Sequence, residues 1–132
     1  MIQGISHITT IVKDLEKTAR LLCDGLGAQE IYDSQYRKYS IVREKFFIIG
    51  GIWLVAMVGQ TPEKSYQHIA FQVAHRDLLE LEDRIANLGA IIVPSRPRVE
   101  GEGESIYFFD YDNNLFELHA GTLEERLNRY RA

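Results

Sequence analysis

Along the chain, apolar and polar positions follow two different periods, and the switch between them marks out elements. Residues 5–12 run Ile-Ser-His-Ile-Thr-Thr-Ile-Val, rich in the β-branched side chains that suit a pleated surface, so a strand is predicted there. Leu15, Ala19 and Leu22 then recur at i, i+4 and i+7, which predicts a helix opened by Asp14 and stopped at Gly25 or Gly27. Strand-like runs follow over 28–32, 39–49 and 52–58. The same order then returns. A strand is predicted over 66–73, and a helix carries Leu78, Leu81, Ile85 and Leu88 on one stripe. Asp77 with Glu80 reads as a capping box at its start, and Gly89 stops it. Strands over 90–93, 105–109 and 115–119 complete the set, with Asp112-Asn113-Asn114 as a turn. Residues 122–130 predict a helical tail opened by Thr122 with Glu125 three positions on.

The return is a repeat. His7-Ile8-Thr9-Thr10-Ile11-Val12 matches His68-Ile69-Ala70-Phe71-Gln72-Val73 at an offset of 61, and Gly27-Ala28 matches Gly89-Ala90 at 62. The predicted fold is therefore α+β, built of paired βαβββ modules over 1–60 and 64–119 with a C-terminal tail over 120–132. One curved sheet with one helix leaves a sheet face uncovered. Two such modules facing each other enclose a cleft lined by inward-pointing side chains.

Composition narrows the chemistry. The chain has 132 residues, 45% hydrophobic, enough to bury a core without disulfides or a structural metal. A single cysteine, Cys23, excludes an internal disulfide and a four-cysteine zinc site, and its place among Leu21 and Leu22 predicts packing rather than reactivity. The net charge of −4 lacks the basic footprint of a nucleic-acid binder. No apolar run reaches ~18 residues, so no membrane span is predicted. The opening Met1-Ile2-Gln3-Gly4 lacks the regions of a signal peptide, and a cytoplasmic protein is expected.

Strand alternation selects the residues that line the cleft. His7 shares a face with Thr9 and Ile11; His68 shares one with Tyr66 and Ala70, at the repeat-equivalent position. Phe116 and Leu118 read as core, which puts Glu117 and His119 on the other face. A lone strand histidine is usually packed or solvated, and Glu117 alone reads as an exposed carboxylate; the repeat is what lifts the pair of histidines. Two imidazoles and a carboxylate suit Zn²⁺, Fe²⁺ or Mn²⁺ and leave positions open for water and substrate. His119, two residues from Glu117, is the alternative third ligand, whereas His75 reads as a solvated loop residue.

Gly4-Ile5-Ser6-His7-Ile8-Thr9, Tyr66-Gln67-His68-Ile69-Ala70-Phe71, Ser105-Ile106-Tyr107-Phe108 and Leu115-Phe116-Glu117-Leu118-His119-Ala120-Gly121-Thr122-Leu123 together resemble the vicinal oxygen chelate superfamily. Within it they resemble the fosfomycin-resistance proteins, most of all the epoxide hydrolases of the FosX type. The resemblance implies a curved, open-barrel arrangement of the modules, Mn²⁺ bound by His7, His68 and Glu117, and a module-exchanged homodimer with shared active sites. In it each site takes His7 from one subunit and His68 with Glu117 from the other. Glyoxalase I-like members have a fourth ligand; at an offset of 61 its position is Ala56, which cannot coordinate.

The resemblance also assigns roles. Glu44, within Arg43-Glu44-Lys45-Phe46-Phe47, corresponds to the general base that activates water, where the residues alone read as a solvated strand carboxylate. Thr9 is placed to hydrogen-bond or protonate the ring oxygen. Arg96, Ser105, Tyr107 and Arg126 are implied as phosphonate contacts, with Tyr66 and Trp53 shaping the pocket and Arg98 as the alternative to Arg96. The expected reaction is hydration of the oxirane of fosfomycin, a small phosphonate epoxide, to a vicinal diol. Thiol transfer to the same drug, or sequestration of a small ligand without catalysis, are the competing expectations.

Overall fold

The computed structural model describes residues 1–35, 37 and 41–132. Two four-stranded mixed sheets carry the architecture, each built by the same βαβββ run. In the first, β1 (Ile8–Val12) is followed by α1 (Leu15–Arg20), β2 (Gln29–Asp33), β3 (Glu44–Ile49) and β4 (Ile52–Val58), in the order β1-β4-β3-β2. In the second, β5 (His68–Gln72), α2 (Leu78–Asn87), β6 (Ile91–Val93), β7 (Glu104–Phe109) and β8 (Leu115–Ala120) give the order β5-β8-β7-β6. α3 (Leu123–Tyr130) follows. In both sheets the first strand lies parallel to the last and the remaining pairs are antiparallel.

Each sheet has one dry face. Val12, Phe47, Leu54 and Ala56 point from the first sheet toward Leu15, Leu21 and Leu22; Phe71, Phe108, Phe116 and Leu118 point from the second toward Leu78 and Ile85. The stacked rings of Phe108, Phe116 and Phe71 lie 5.4 and 6.0 Å apart and form the centre of the second half. The opposite faces therefore carry the side chains left over for chemistry.

Local signals account for the ends of most elements. Asp14 accepts from the Lys17 N–H, and Thr122 accepts from the Glu125 N–H, as N-cap side chains do. Gly27 and Gly89 follow the two helices at φ +73° and +89°. Three expectations change. Asp77 makes no side-chain cap, because a 3₁₀ turn over His75–Asp77 leads into α2 instead. The first helix widens into a π turn over Leu21–Gly25. β3 begins only at Glu44; positions 39 and 40 of the predicted strand lie outside the described residues.

Candidate metal centre

β8 presents Leu115, Glu117 and His119 on the open face of the second sheet while Phe116 and Leu118, 2% and 1% exposed, anchor its back. Glu117 is 5% exposed, and a carboxylate withdrawn from water that far needs partners. It has them on both oxygens. Oε1 lies 3.0 Å from Nε2 of His68, the first residue of β5. Oε2 accepts from the Ser105 hydroxyl and from Arg98 Nη2 at 3.2 Å. Burial pushes the Glu117 carboxyl up, but the hydrogen bonds from Ser105 and Tyr107 and the charge of Arg98 outweigh it and hold the pKa below its usual value.

The geometry between His68 and Glu117 suits a cation. His68 Nδ1 lies 2.7 Å from the Tyr66 carbonyl, which accepts only, so the Nδ1 proton is committed there. Nε2 then turns a lone pair toward a carboxylate oxygen, and two such groups attract only through a positive charge between them. Two ligands held about 2.1 Å from an ion at right angles lie about 3.0 Å apart, the separation seen here. The residues fit a divalent metal.

His7 stands elsewhere. It precedes β1, is exposed, rests on Trp53 with ring centroids 4.4 Å apart, and meets the Ser6 hydroxyl through Nδ1 at 3.0 Å. Among the described residues no three His, Cys, Asp or Glu side chains converge to hold a metal. Thr9, Trp53 and Glu44 share His7's face of the first sheet, since Thr9 pairs Val55, Val55 pairs Phe46, and Met57 pairs Glu44. Glu44 is 8% exposed, and Ser34 brackets its backbone: the Glu44 N–H donates to Ser34 Oγ at 2.9 Å and the Ser34 N–H to the Glu44 carbonyl at 3.0 Å. The chain thus brings together His68, Glu117, Ser105, Tyr107 and Tyr66 at one sheet, with Arg126 of α3 beside them, and His7, Thr9, Glu44 and Trp53 at the other.

Sheet register corrects one correspondence. Ile8 pairs Leu54 and His68 pairs Leu115, so continuing by one residue sets His7 beside Trp53 as His68 lies beside Leu115. The first-sheet equivalent of Glu117 is therefore Val55, with Ala56 turned into the core. The offset of 61 holds at the histidines but becomes 62 by the last strand. The missing fourth ligand stands, because valine coordinates no better than alanine. The same register makes Glu44 the counterpart of Ser105, which pair with Met57 and His119 respectively.

The loop over 94–103 sorts the two arginines. Arg96 turns to Glu102 and the Tyr130 hydroxyl, while Arg98, 13% exposed, reaches Glu117 and the Tyr107 hydroxyl. Arg98 Nε and Nη1 are buried without hydrogen-bond partners among the described residues. Tyr107 also accepts from the Tyr66 hydroxyl at 3.3 Å; burial first, then Tyr66 and the Glu117 carboxylate, push its pKa up and keep its hydroxyl protonated. Arg126 Nη2 lies 3.2 Å from His119 Nε2, and burial followed by the Arg126 charge lowers the His119 pKa. A cavity of about 330 Å³ lies over His68, Glu117, His119 and Arg126, and another of about 460 Å³ over Lys64, Tyr66, Arg96 and Tyr107.

Comparison with known proteins places these groups in context. Residues 4–118 match the family described as Glyoxalase/Bleomycin resistance protein/Dioxygenase superfamily. The chain is 56% identical over 131 residues to the fosfomycin resistance protein FosX of Listeria monocytogenes, covering 98% of each. It is 36% identical over 139 residues to the metallothiol transferase FosB of Shouchella clausii, covering 98% of this chain and 88% of that one. A crystal structure of a glutamate-to-glutamine mutant of the Listeria FosX, complexed with Mn(II) and 1S,2S-dihydroxypropylphosphonic acid, superposes with a TM-score of 0.89 at 53% identity, covering 98% of this chain and 99% of that one.

Proposed function

This chain belongs to the Glyoxalase/Bleomycin resistance protein/Dioxygenase superfamily, and on that footing we propose that it adds water to the oxirane of fosfomycin in a Mn²⁺-dependent reaction, giving a vicinal diol and resistance to the drug. The observation that carries the reading is the His68–Glu117 pair, set at the spacing of two metal ligands in a chain more than half identical to FosX. The diol phosphonate held by the relative with Mn(II) is what an epoxypropyl phosphonate becomes on gaining one water.

His7, His68 and Glu117 are the ligand set, and the bound ion supplies a Lewis acid for the oxirane oxygen. Glu44 takes a proton from a water that attacks a ring carbon opposite the C–O bond that breaks. The electron pair of that bond passes to the ring oxygen, which is protonated with Thr9 as the hydroxyl beside it. Tyr107 and Arg126 offer donors to the phosphonate, Ser105 lines the substrate side with its own proton turned to Glu117, and Tyr66 and Trp53 wall the pocket. Arg98, whose Nη2 reaches Tyr107 and Glu117, serves here where the resemblance implied Arg96.

The proposal extends to assembly. His7 lies against Trp53, away from the His68–Glu117 pair, so one chain holds parts of two sites, and a module-exchanged homodimer completes each. Modules over 1–60 and 64–119 with the tail over 120–132 then act as one domain, in the cytoplasm. No helix among the described residues is long and apolar enough to cross a membrane.

The test is mass spectrometry of fosfomycin incubated with the protein and Mn²⁺ in the absence of thiol. A gain of one water is expected. Product formed only when glutathione, bacillithiol or cysteine is added would assign the chain to thiol transfer, and tight binding without product would make it a sequestering protein.

A further inference from the structure

We propose that His119 is a positioning residue for the metal centre: an imidazole that turns the Ser105 hydroxyl onto Glu117 and so leaves a single carboxylate oxygen, Oε1, for the ion. The inference rests on the metal reading above and concerns a residue outside the ligand set. It follows from hydrogen-bond direction. Arg126 has donors and no acceptor, so His119 Nε2, 3.2 Å from its Nη2, is the accepting nitrogen. The ring proton therefore sits on Nδ1, which donates to Ser105 Oγ at 2.7 Å. Having accepted there, Ser105 directs its own proton to Glu117 Oε2. Ser105 is the nearer partner of Nδ1, whose next acceptor, Glu117 Oε2, lies 3.5 Å away.

Oε2 also takes Arg98 at 3.2 Å, so two donors hold that oxygen while Oε1 alone faces His68. The carboxylate is locked in a one-oxygen presentation before any ion arrives. Two glycines make room for the ring. A Cβ on Gly121 would come within 2.8 Å of His119 Nε2, and one on Gly103 within 3.0 Å of Cε1 and 2.4 Å of the Ala120 carbonyl. The space around His119 is thus shaped for an imidazole in one orientation. With both nitrogens engaged, His119 is not itself a ligand.

The experiment is a Mn²⁺ titration of the full chain, following free Mn²⁺ by electron paramagnetic resonance, with thermal melts in chelator to check folding. In His119→Asn the side-chain amide stands where Nδ1 was and still donates to Ser105. In His119→Gln it reaches the Nε2 position and leaves Ser105 undirected. Mn²⁺ binding is expected to weaken about 10- to 100-fold in His119→Gln, the usual loss for an outer-shell partner, and to stay within about threefold of the parent in His119→Asn. Ser105→Ala should match His119→Gln, and the double variant should be no worse than Ser105→Ala, so the link is tested even if one ring variant folds poorly. Parental affinity in His119→Gln, or equal losses in the Asn and Gln variants, overturns the relay. His68→Ala separates the two readings: if it too binds Mn²⁺ like the parent, the metal centre itself is overturned.

Discussion

Water attacks an epoxide slowly at neutral pH until a base removes its proton, so under the proposed mechanism Glu44 is the residue expected to affect rate most. Ser34 fixes its backbone from both sides, and the residue is buried in the sheet face it shares with Thr9. Glu44→Gln is expected to fold, to bind Mn²⁺ like the parent, and to lose hydration rate by about 100-fold or more, read by product formation per minute. A full rate in that variant removes Glu44 from the role of base. His68 is expected to govern affinity. Mn²⁺ at about 100 times its Kd should stabilise the parent by about 2.7 kcal/mol in a denaturant titration, and His68→Ala should abolish that gain. His68 was legible in the sequence because alternation in a strand fixes the face of every second side chain, whereas Glu44 alone read as a solvated strand carboxylate and was singled out only by the resemblance. Arg98 was not legible, since the loop over 94–103 has no period to read and places Arg96 and Arg98 by contacts alone.

At the scale of elements, Glu102 couples that loop to α3. It is 2% exposed and accepts from Arg96, the Tyr130 hydroxyl and the Val99 N–H. The Arg96 hydrogen bond first, and that of Tyr130 next, hold its carboxyl far below the usual carboxylate range. A depressed pKa in the folded state gives stability that is present above the unfolded pKa, about 4.3, and is lost as pH falls toward the folded value. Glu102→Gln is therefore expected to lower the urea midpoint at pH 7, with the gap to the parent narrowing below about pH 4. Helices and most strands were legible from their stripes and caps. The extra residue already showed in the offset of 62 at Gly27 and Gly89, but only strand register reveals that the shift carries through to the last strand, where Glu117 answers to Val55.

For the whole molecule, the separation of His7 from His68 has a stoichiometric signature. His7→Ala and His68→Ala should each be inactive alone. Unfolded together and refolded at equal amounts, they should recover about a quarter of parental activity, because half of the dimers are mixed and each mixed dimer keeps one intact site. Sites contained within one chain would recover nothing, and sedimentation of the parent as a monomer would argue against exchange directly. The parallel pairing of first and last strands carries a different consequence, one of timing. Ile8 finds Leu54 and His68 finds Leu115 only after the chain between them has closed a loop of 46 or 47 residues, at an entropic cost of about 3 kcal/mol beyond the constant term. The antiparallel hairpins β3–β4 and β7–β8 need no such search. They are expected to form early, carrying Glu117 with the second of them, while the segments bearing His7 and His68 arrive last, so the two imidazoles close on a carboxylate already held in its hairpin.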